Sequence, residues 1–185
     1  MKLLIVVDMQ KDFIDGSLGT PEAQTILDNV AAKIAAYAPE SVFVTRDTHT
    51  PDYLASCEGR HLPVVHCVAG TPGHALDPKI DAALAAVAPD HIFDKPTFGS
   101  MELAERLRPL ANGNEPVEIE LVGLCTGICV LSNAILLKAA LPEAEISVDA
   151  ACCACVTPQS HDTALAAMKL CHITVENEGQ EPWRH

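Results

Sequence analysis

The chain has 185 residues, of which 49% are hydrophobic and 20% charged, a length for about one domain and a composition that excludes a disordered chain. Twelve Lys and Arg against 25 Asp and Glu leave a formal net charge of −13, a field that repels phosphate backbones and anionic lipid, so nucleic acid and membranes are disfavoured as partners. No apolar run reaches the roughly 18 residues of a membrane span, and Met1-Lys2 leads straight into a strand-like run instead of a signal peptide, which predicts a cytoplasmic protein.

Leu3 to Val7 is an unbroken aliphatic run ending at Asp8, as expected of a strand buried on both faces of a parallel sheet. Thr20-Pro21-Glu22 then supplies an N-cap, a first-turn proline and an acid ahead of Ile26, Val30 and Ile34, predicting a helix. Ser41 to Thr45 is the second strand, and an irregular insert follows over residues 47–78. A long stretch without period inside a compact domain is usually functional. Helical patterns at Asp81 to Ala86, Met101 to Leu107 and Gly127 to Ala140 alternate with strands at His91 to Phe93, Val117 to Val122 and Glu145 to Val148. Thr157-Pro158-Gln159 opens a last helix, and His172 to Val175 is a sixth strand. This alternation predicts one α/β domain over residues 1–185, a three-layer doubly wound fold with a six-stranded, mainly parallel sheet and helices on both faces.

Such sheets bind ligands at the carboxyl ends of their strands, which here carry Asp8, Asp47, Asp94-Lys95 and the turn from Gly123 to Cys129. Cys129 falls in the first turn of a predicted helix, where the dipole and unpaired amides favour a thiolate and can hold an oxyanion. A cysteine nucleophile needs a base and a cation, and Asp8 and Lys95 would project toward the same edge. The insert adds Asp47-Thr48-His49, Glu58 and His66, two carboxylates and two imidazoles, a ligand set that suits zinc, iron or manganese. The chain has eight cysteines, and without a secretion signal they are expected to be reduced. Cys152, Cys153 and Cys155 read as a tight turn of small residues, and His161 as solvent-facing. His74, His91 and His172 have no partner legible in the sequence. A Gly-x-Gly-x-x-Gly loop and a phosphate-binding Gly-rich Lys motif are both missing, which disfavours nucleotide binding.

Three blocks, Val7-Asp8-Met9-Gln10-Lys11-Asp12-Phe13, Asp94-Lys95-Pro96-Thr97-Phe98-Gly99-Ser100 and Gly123-Leu124-Cys125-Thr126-Gly127-Ile128-Cys129-Val130, resemble the catalytic blocks of the isochorismatase-like cysteine hydrolases, in the same order and across essentially the whole chain. The resemblance implies a catalytic triad of Asp8, Lys95 and Cys129. It further implies a non-proline cis peptide at Leu124-Cys125 and an oxyanion hole from the amides of Cys125 and Cys129. Within that superfamily, Asp47-x-His49 with Glu58 and the block Leu62 to Thr71 around His66 are similar to the metal site of the nicotinamidases. That likeness implies a divalent ion, zinc first and iron or manganese as alternatives, held by Asp47, His49, Glu58 and His66, with His61 as a substitute ligand. The sequence departs from the nicotinamidase pattern in its aromatics. Its only tryptophan is Trp183, leaving Phe13 and Leu62 as the expected substrate contacts.

The implied function is nicotinamide hydrolysis to nicotinate and ammonia through a thioester on Cys129, by a homo-oligomer whose partner is a small-molecule amide. The alternatives are a cysteine hydrolase for another small amide, a carbamoyl or ureido compound or isochorismate, and a thiol-sensing or binding protein on the same fold.

Overall fold

The computed structural model describes residues 1–113 and 115–184. Six strands, β1 Lys2–Val7, β2 Val42–Asp47, β3 Ile92–Lys95, β4 Glu118–Leu124, β5 Glu145–Ala154 and β6 Thr174–Glu176, form one all-parallel sheet in the order β3-β2-β1-β4-β5-β6. The first strand made is therefore central, and the strand order reverses between β1 and β4, where a doubly wound sheet opens its ligand crevice. Leu3, Ile5 and Val7 pack into one apolar cluster while Leu4 and Val6 pack into the other, which is why this run has no polar positions. The first cluster is closed by α6 Met101–Leu107, α7 Leu131–Ala140 and α8 Pro158–Leu170, and the second by α2 Pro21–Thr25, α3 Leu27–Ala35 and α5 Pro78–Ala83. Among the described residues no helix is long and apolar enough to cross a membrane.

Several boundaries differ from expectation for physical reasons. α5 starts at Pro78 instead of Asp81, because the Asp77 side chain accepts from the Lys79 amide at 2.8 Å as an N-cap. The helix expected from Gly127 opens with a wide turn over Thr126–Val130 that has π-type spacing, and regular α-helix begins at Leu131. β6 starts two residues late, since His172 takes a left-handed φ of 59°. β5 runs six residues past Val148, so Cys152 and Cys153 are strand residues with Cys155 just beyond, and the tight turn expected there is absent. Its register steps from Leu121↔Val148 to Gly123↔Cys153, a bulge that lets the extra small residues through.

The insert is less irregular than its sequence. It contains a 3₁₀ turn at Tyr53–Ala55 and a short helix, α4 Cys57–His61, capped by Ser56, whose Oγ accepts from Gly59 N at 2.9 Å. It is fastened to α1 Lys11–Ile14 and the residues before it. Asp12 Oδ2 accepts from Cys67 N at 2.8 Å, Asp12 N donates to Gly73 O at 3.0 Å, and Asp77 N donates to Met9 O at 2.9 Å. A Cβ on Gly73 would lie 2.1 Å from that Asp12 oxygen, so the glycine admits the carboxylate.

Candidate active site

The crevice between β1 and β4 gathers side chains from three strand ends. Asp8 follows β1 with a left-handed φ of 48°, and its carboxylate accepts from Thr45 Oγ1 at 2.7 Å. Lys95 closes β3 and is 2% exposed, so its ammonium must find partners inside the protein. Its Nζ lies 2.7 Å from Asp8 Oδ2, 3.5 Å from Cys129 Sγ and 3.7 Å from Asp47 Oδ1, and it donates to Thr97 O at 3.1 Å. Cys129 sits in the turn after β4, held by Asn133, which donates to Cys129 O at 2.8 Å and accepts from Ser100 N at 2.9 Å. That turn follows a cis Leu124-Cys125 peptide and Gly123, whose φ of 117° and approach to Val7 leave no room for a Cβ. Asp8, Lys95 and Cys129 are thus brought together around one ammonium.

Burial pushes the Cys129 thiol well above its usual pKa, and the Asp8 carboxylate adds to this while Lys95 opposes it. Burial also raises Asp8 despite the neighbouring ammonium. Lys95 moves upward because Asp8, Cys129 and Asp47 outweigh the desolvation that works against its charge. The resting sulfur therefore keeps its proton beside a carboxylate made more basic than a solvated one, a donor and acceptor poised for transfer.

Asp47, the last residue of β2, faces the insert. Its ligand atoms and those of His49 and His66 all lie within 4.8 Å of one another, and all three residues are buried. Glu58 Oε1, half-buried on α4, lies 3.7 Å from both imidazole Nε2 atoms, at the rim of the group. His66 Nδ1 is 2.8 Å from Val64 O, which assigns the proton to Nδ1 and leaves the Nε2 lone pair facing the cluster. His49 Nε2 lies 2.8 Å from Asp47 Oδ2 without hydrogen-bond geometry, and among the described residues this buried atom has no hydrogen-bond partner. A buried, unpaired imidazole nitrogen among carboxylates fits a cation, so the donor set suits a divalent metal. His61 is exposed, with Nδ1 on Cys57 O, and stands outside the group.

Two contacts that fix this set were not assigned from sequence. The buried Gln10 side chain donates to Asp47 O at 2.8 Å and to His74 O at 2.9 Å, and it accepts from Asp47 N at 2.7 Å. Tyr53 packs its ring 4.6 Å from that of His49 and 4.9 Å from that of His66, and its hydroxyl donates to Leu62 O. The only signal for Gln10 was an amide in the same block as Asp8, two residues on.

A cavity of about 210 Å³ touches both groups, its lining including Cys125 and Cys129 together with Asp47, Glu58 and His66. It is smaller than the ~300–1,000 Å³ of drug-sized pockets, so it suits a small ligand. Phe13, with its ring 5.5 Å from that of His66, and Leu62 line it, together with Phe98 and Val156, which the sequence did not single out as contacts. Cys155 also lines it, and its Sγ accepts from Gly127 N at 3.4 Å. His161, expected in solvent, is fully buried, because Thr126 and Glu181 complete its hydrogen bonds. His74 bonds Thr48 Oγ1 at 2.8 Å, and His91 stacks on Phe43.

Residues 2–178 match the isochorismatase domain model. The chain is 32% identical over 152 residues to the nicotinamidase/pyrazinamidase of Mycobacterium tuberculosis, covering 72% of this chain and 77% of that one. Among solved structures, it superposes on the pyrazinamidase of Pyrococcus horikoshii in complex with zinc with a TM-score of 0.73 at 27% identity, over 94% of this chain and 97% of that one. It is also similar to the N-carbamoylsarcosine amidase of Thermoplasma acidophilum, with a TM-score of 0.71 at 26% identity and 95% of each chain covered.

Proposed function

The chain belongs to the isochorismatase family and is an amidohydrolase, and we propose that its substrate is nicotinamide, hydrolysed to nicotinate and ammonia by Asp8, Lys95 and Cys129. The observation that carries this reading is one small cavity lined by Cys129 and, separately, by Asp47 and His66, which with His49 form the buried donor group. A planar aromatic amide has its two polar ends so separated, a carboxamide and a ring nitrogen.

In the proposed reaction Asp8 takes the thiol proton as Cys129 Sγ attacks the carboxamide carbon, and Lys95 balances the charge passing between them. The amides of Cys125 and Cys129 hold the tetrahedral oxyanion. Asp8 returns its proton to the leaving nitrogen, the carbon–nitrogen bond breaks, and ammonia departs from a thioester on Cys129. Water, giving a proton to Asp8, attacks the thioester. The acid leaves, and Asp8 reprotonates the sulfur. Asp47, His49 and His66, with Glu58 at the rim, would hold a divalent ion, for which zinc is the proposed identity. When bound it supplies a Lewis-acidic anchor that orients the ring nitrogen. Phe13 and Leu62 flank the ring, and the hydrolase is proposed to be a cytoplasmic homo-oligomer.

The test is ammonia release from nicotinamide by protein loaded with Zn²⁺, Mn²⁺ or Fe²⁺. Release lost on chelation and in Cys129→Ala is the expected result, and none with any metal overturns the substrate. The likeness to the N-carbamoylsarcosine amidase favours one second reading, a small carbamoyl or ureido substrate. Turnover of such compounds without turnover of nicotinamide would select it.

A further inference from the structure

The tail of the chain reaches the nucleophile's turn through one buried hydrogen-bonded line. Thr126 opens the turn that carries Cys129 and directly follows Cys125. Its Oγ1 lies 2.8 Å from His161 Nδ1, on the first turns of α8. His161 Nε2 lies 3.2 Å from Glu181 Oε1, and both residues are fully buried. Glu181 is gripped by Arg184, which also bonds Asp162 and lies over the Trp183 ring at 4.5 Å from its centroid. Trp183 meets the His161 imidazole edge-on at 5.1 Å. Apart from Thr126, none of these residues belongs to the three catalytic blocks or the metal set.

The line has a direction. A carboxylate ion-paired with Arg184 can only accept, so the proton on His161 is on Nε2. Nδ1 is then an acceptor, and the Thr126 hydroxyl must donate to it. We propose that His161, oriented by Glu181, is a positioning residue that fixes Thr126 and thereby aims the amides of Cys125 and Cys129 at the oxyanion. The C-terminal segment around Glu181 thus acts on the reaction without touching substrate. Burial keeps His161 neutral, which preserves the acceptor, although Glu181 opposes that shift. Burial also works against the Glu181 charge, and Arg184 overcomes it.

The inference rests on the amidohydrolase mechanism above, in which those two amides act on the transition state and not on the bound substrate. Loosening them lowers kcat and leaves KM. His161→Gln keeps a donor near the Nε2 position but removes the acceptor, whereas His161→Asn keeps an acceptor near the Nδ1 position. Expected are kcat losses of about 10- to 100-fold for His161→Gln and Thr126→Val. In both, KM stays within about twofold and the rate of Cys129 alkylation by iodoacetamide is unchanged, and His161→Asn recovers most of the rate. Wild-type kcat in folded His161→Gln and Thr126→Val, or kcat and KM changing together, overturns the proposal.

Nitrogen-15 NMR of the wild-type enzyme decides it without a variant. The expected signature is an Nε2–H imidazole with an unprotonated, hydrogen-bonded Nδ1, and the opposite tautomer overturns the proposal. If the wild-type enzyme releases ammonia from no amide, the functional reading fails separately. The tautomer, and movement of the Cys125 and Cys129 amide resonances in Thr126→Val, still decide this inference.

Discussion

Asp8, Lys95 and Cys129 hang from the ends of β1, β3 and β4, while His49, Glu58 and His66 hang from a loop whose ladder contacts among the described residues are two isolated bridges, His49↔Val68 and Gln10↔Leu76. The strand-borne group inherits its geometry from a parallel ladder closed by apolar clusters on both faces. The loop-borne set is held instead by a few polar tethers, chiefly Asp12 on Cys67 N and Gln10 on Asp47, and by the Tyr53 ring. A nucleophile and its base must meet within hydrogen-bond reach, which the sheet provides without adjustment. A metal set assembled from a loop can be tuned or lost while the sheet beneath it persists.

The two groups should therefore fail independently. Cys129→Ala should reduce ammonia release by at least about 10⁴-fold and leave metal content by elemental analysis unchanged. Loss of metal in that variant would mean the groups are coupled. Lys95→Met leaves Asp8 buried without its ion-pair partner and should cost about 3–5 kcal/mol in urea unfolding. A cost near zero would show that the ammonium does not hold the strand ends together. Asp12→Ala releases the loop and should weaken metal affinity by about 10- to 100-fold, with Cys129 alkylation unchanged. Equal loss of both would erase the distinction.

The pH profile sharpens the same contrast, because Asp8, the proposed base, can take a proton only when ionised. The ratio kcat/KM should rise with pH as Asp8 loses its proton and level off above, and since burial raises Asp8 this limb lies above the ordinary aspartate range. A limb at or below that range would mean Lys95 dominates desolvation. The smallest effect is expected at the loop's edge, where Leu62 is 37% exposed. Leu62→Ala should raise KM by less than about tenfold.

The sequence made the strand-borne group easier to read than its supports. The Leu3 to Val7 run marks its strand because a fully buried parallel strand has a distinctive composition, and the three blocks point to Asp8, Lys95 and Cys129 through their resemblance to a known family. Cys152, Cys153 and Cys155 read as a tight turn, since small residues carry little β preference, yet a bulged strand buried on both sides accepts the first two. The wide turn at Thr126–Val130 leaves no trace in hydrophobic period. Gln10 and His161 were missed for another reason. Their partners lie 37 and 20 residues away, and a buried polar residue shows its function only once its partner is placed beside it.

The sheet order also bears on how the chain acquires its structure. Of the six strands β1 is made first but pairs with β2 and β4, Leu4 meeting Val42 early and Glu120 only after β2 and β3 have been made. Until then a strand that is aliphatic from Leu3 to Val7 has an open edge, and such non-local pairing is slow and prone to intermolecular association. The nascent chain should depend on chaperones that hold hydrophobic segments, and the yield of refolding from denaturant should fall as protein concentration rises.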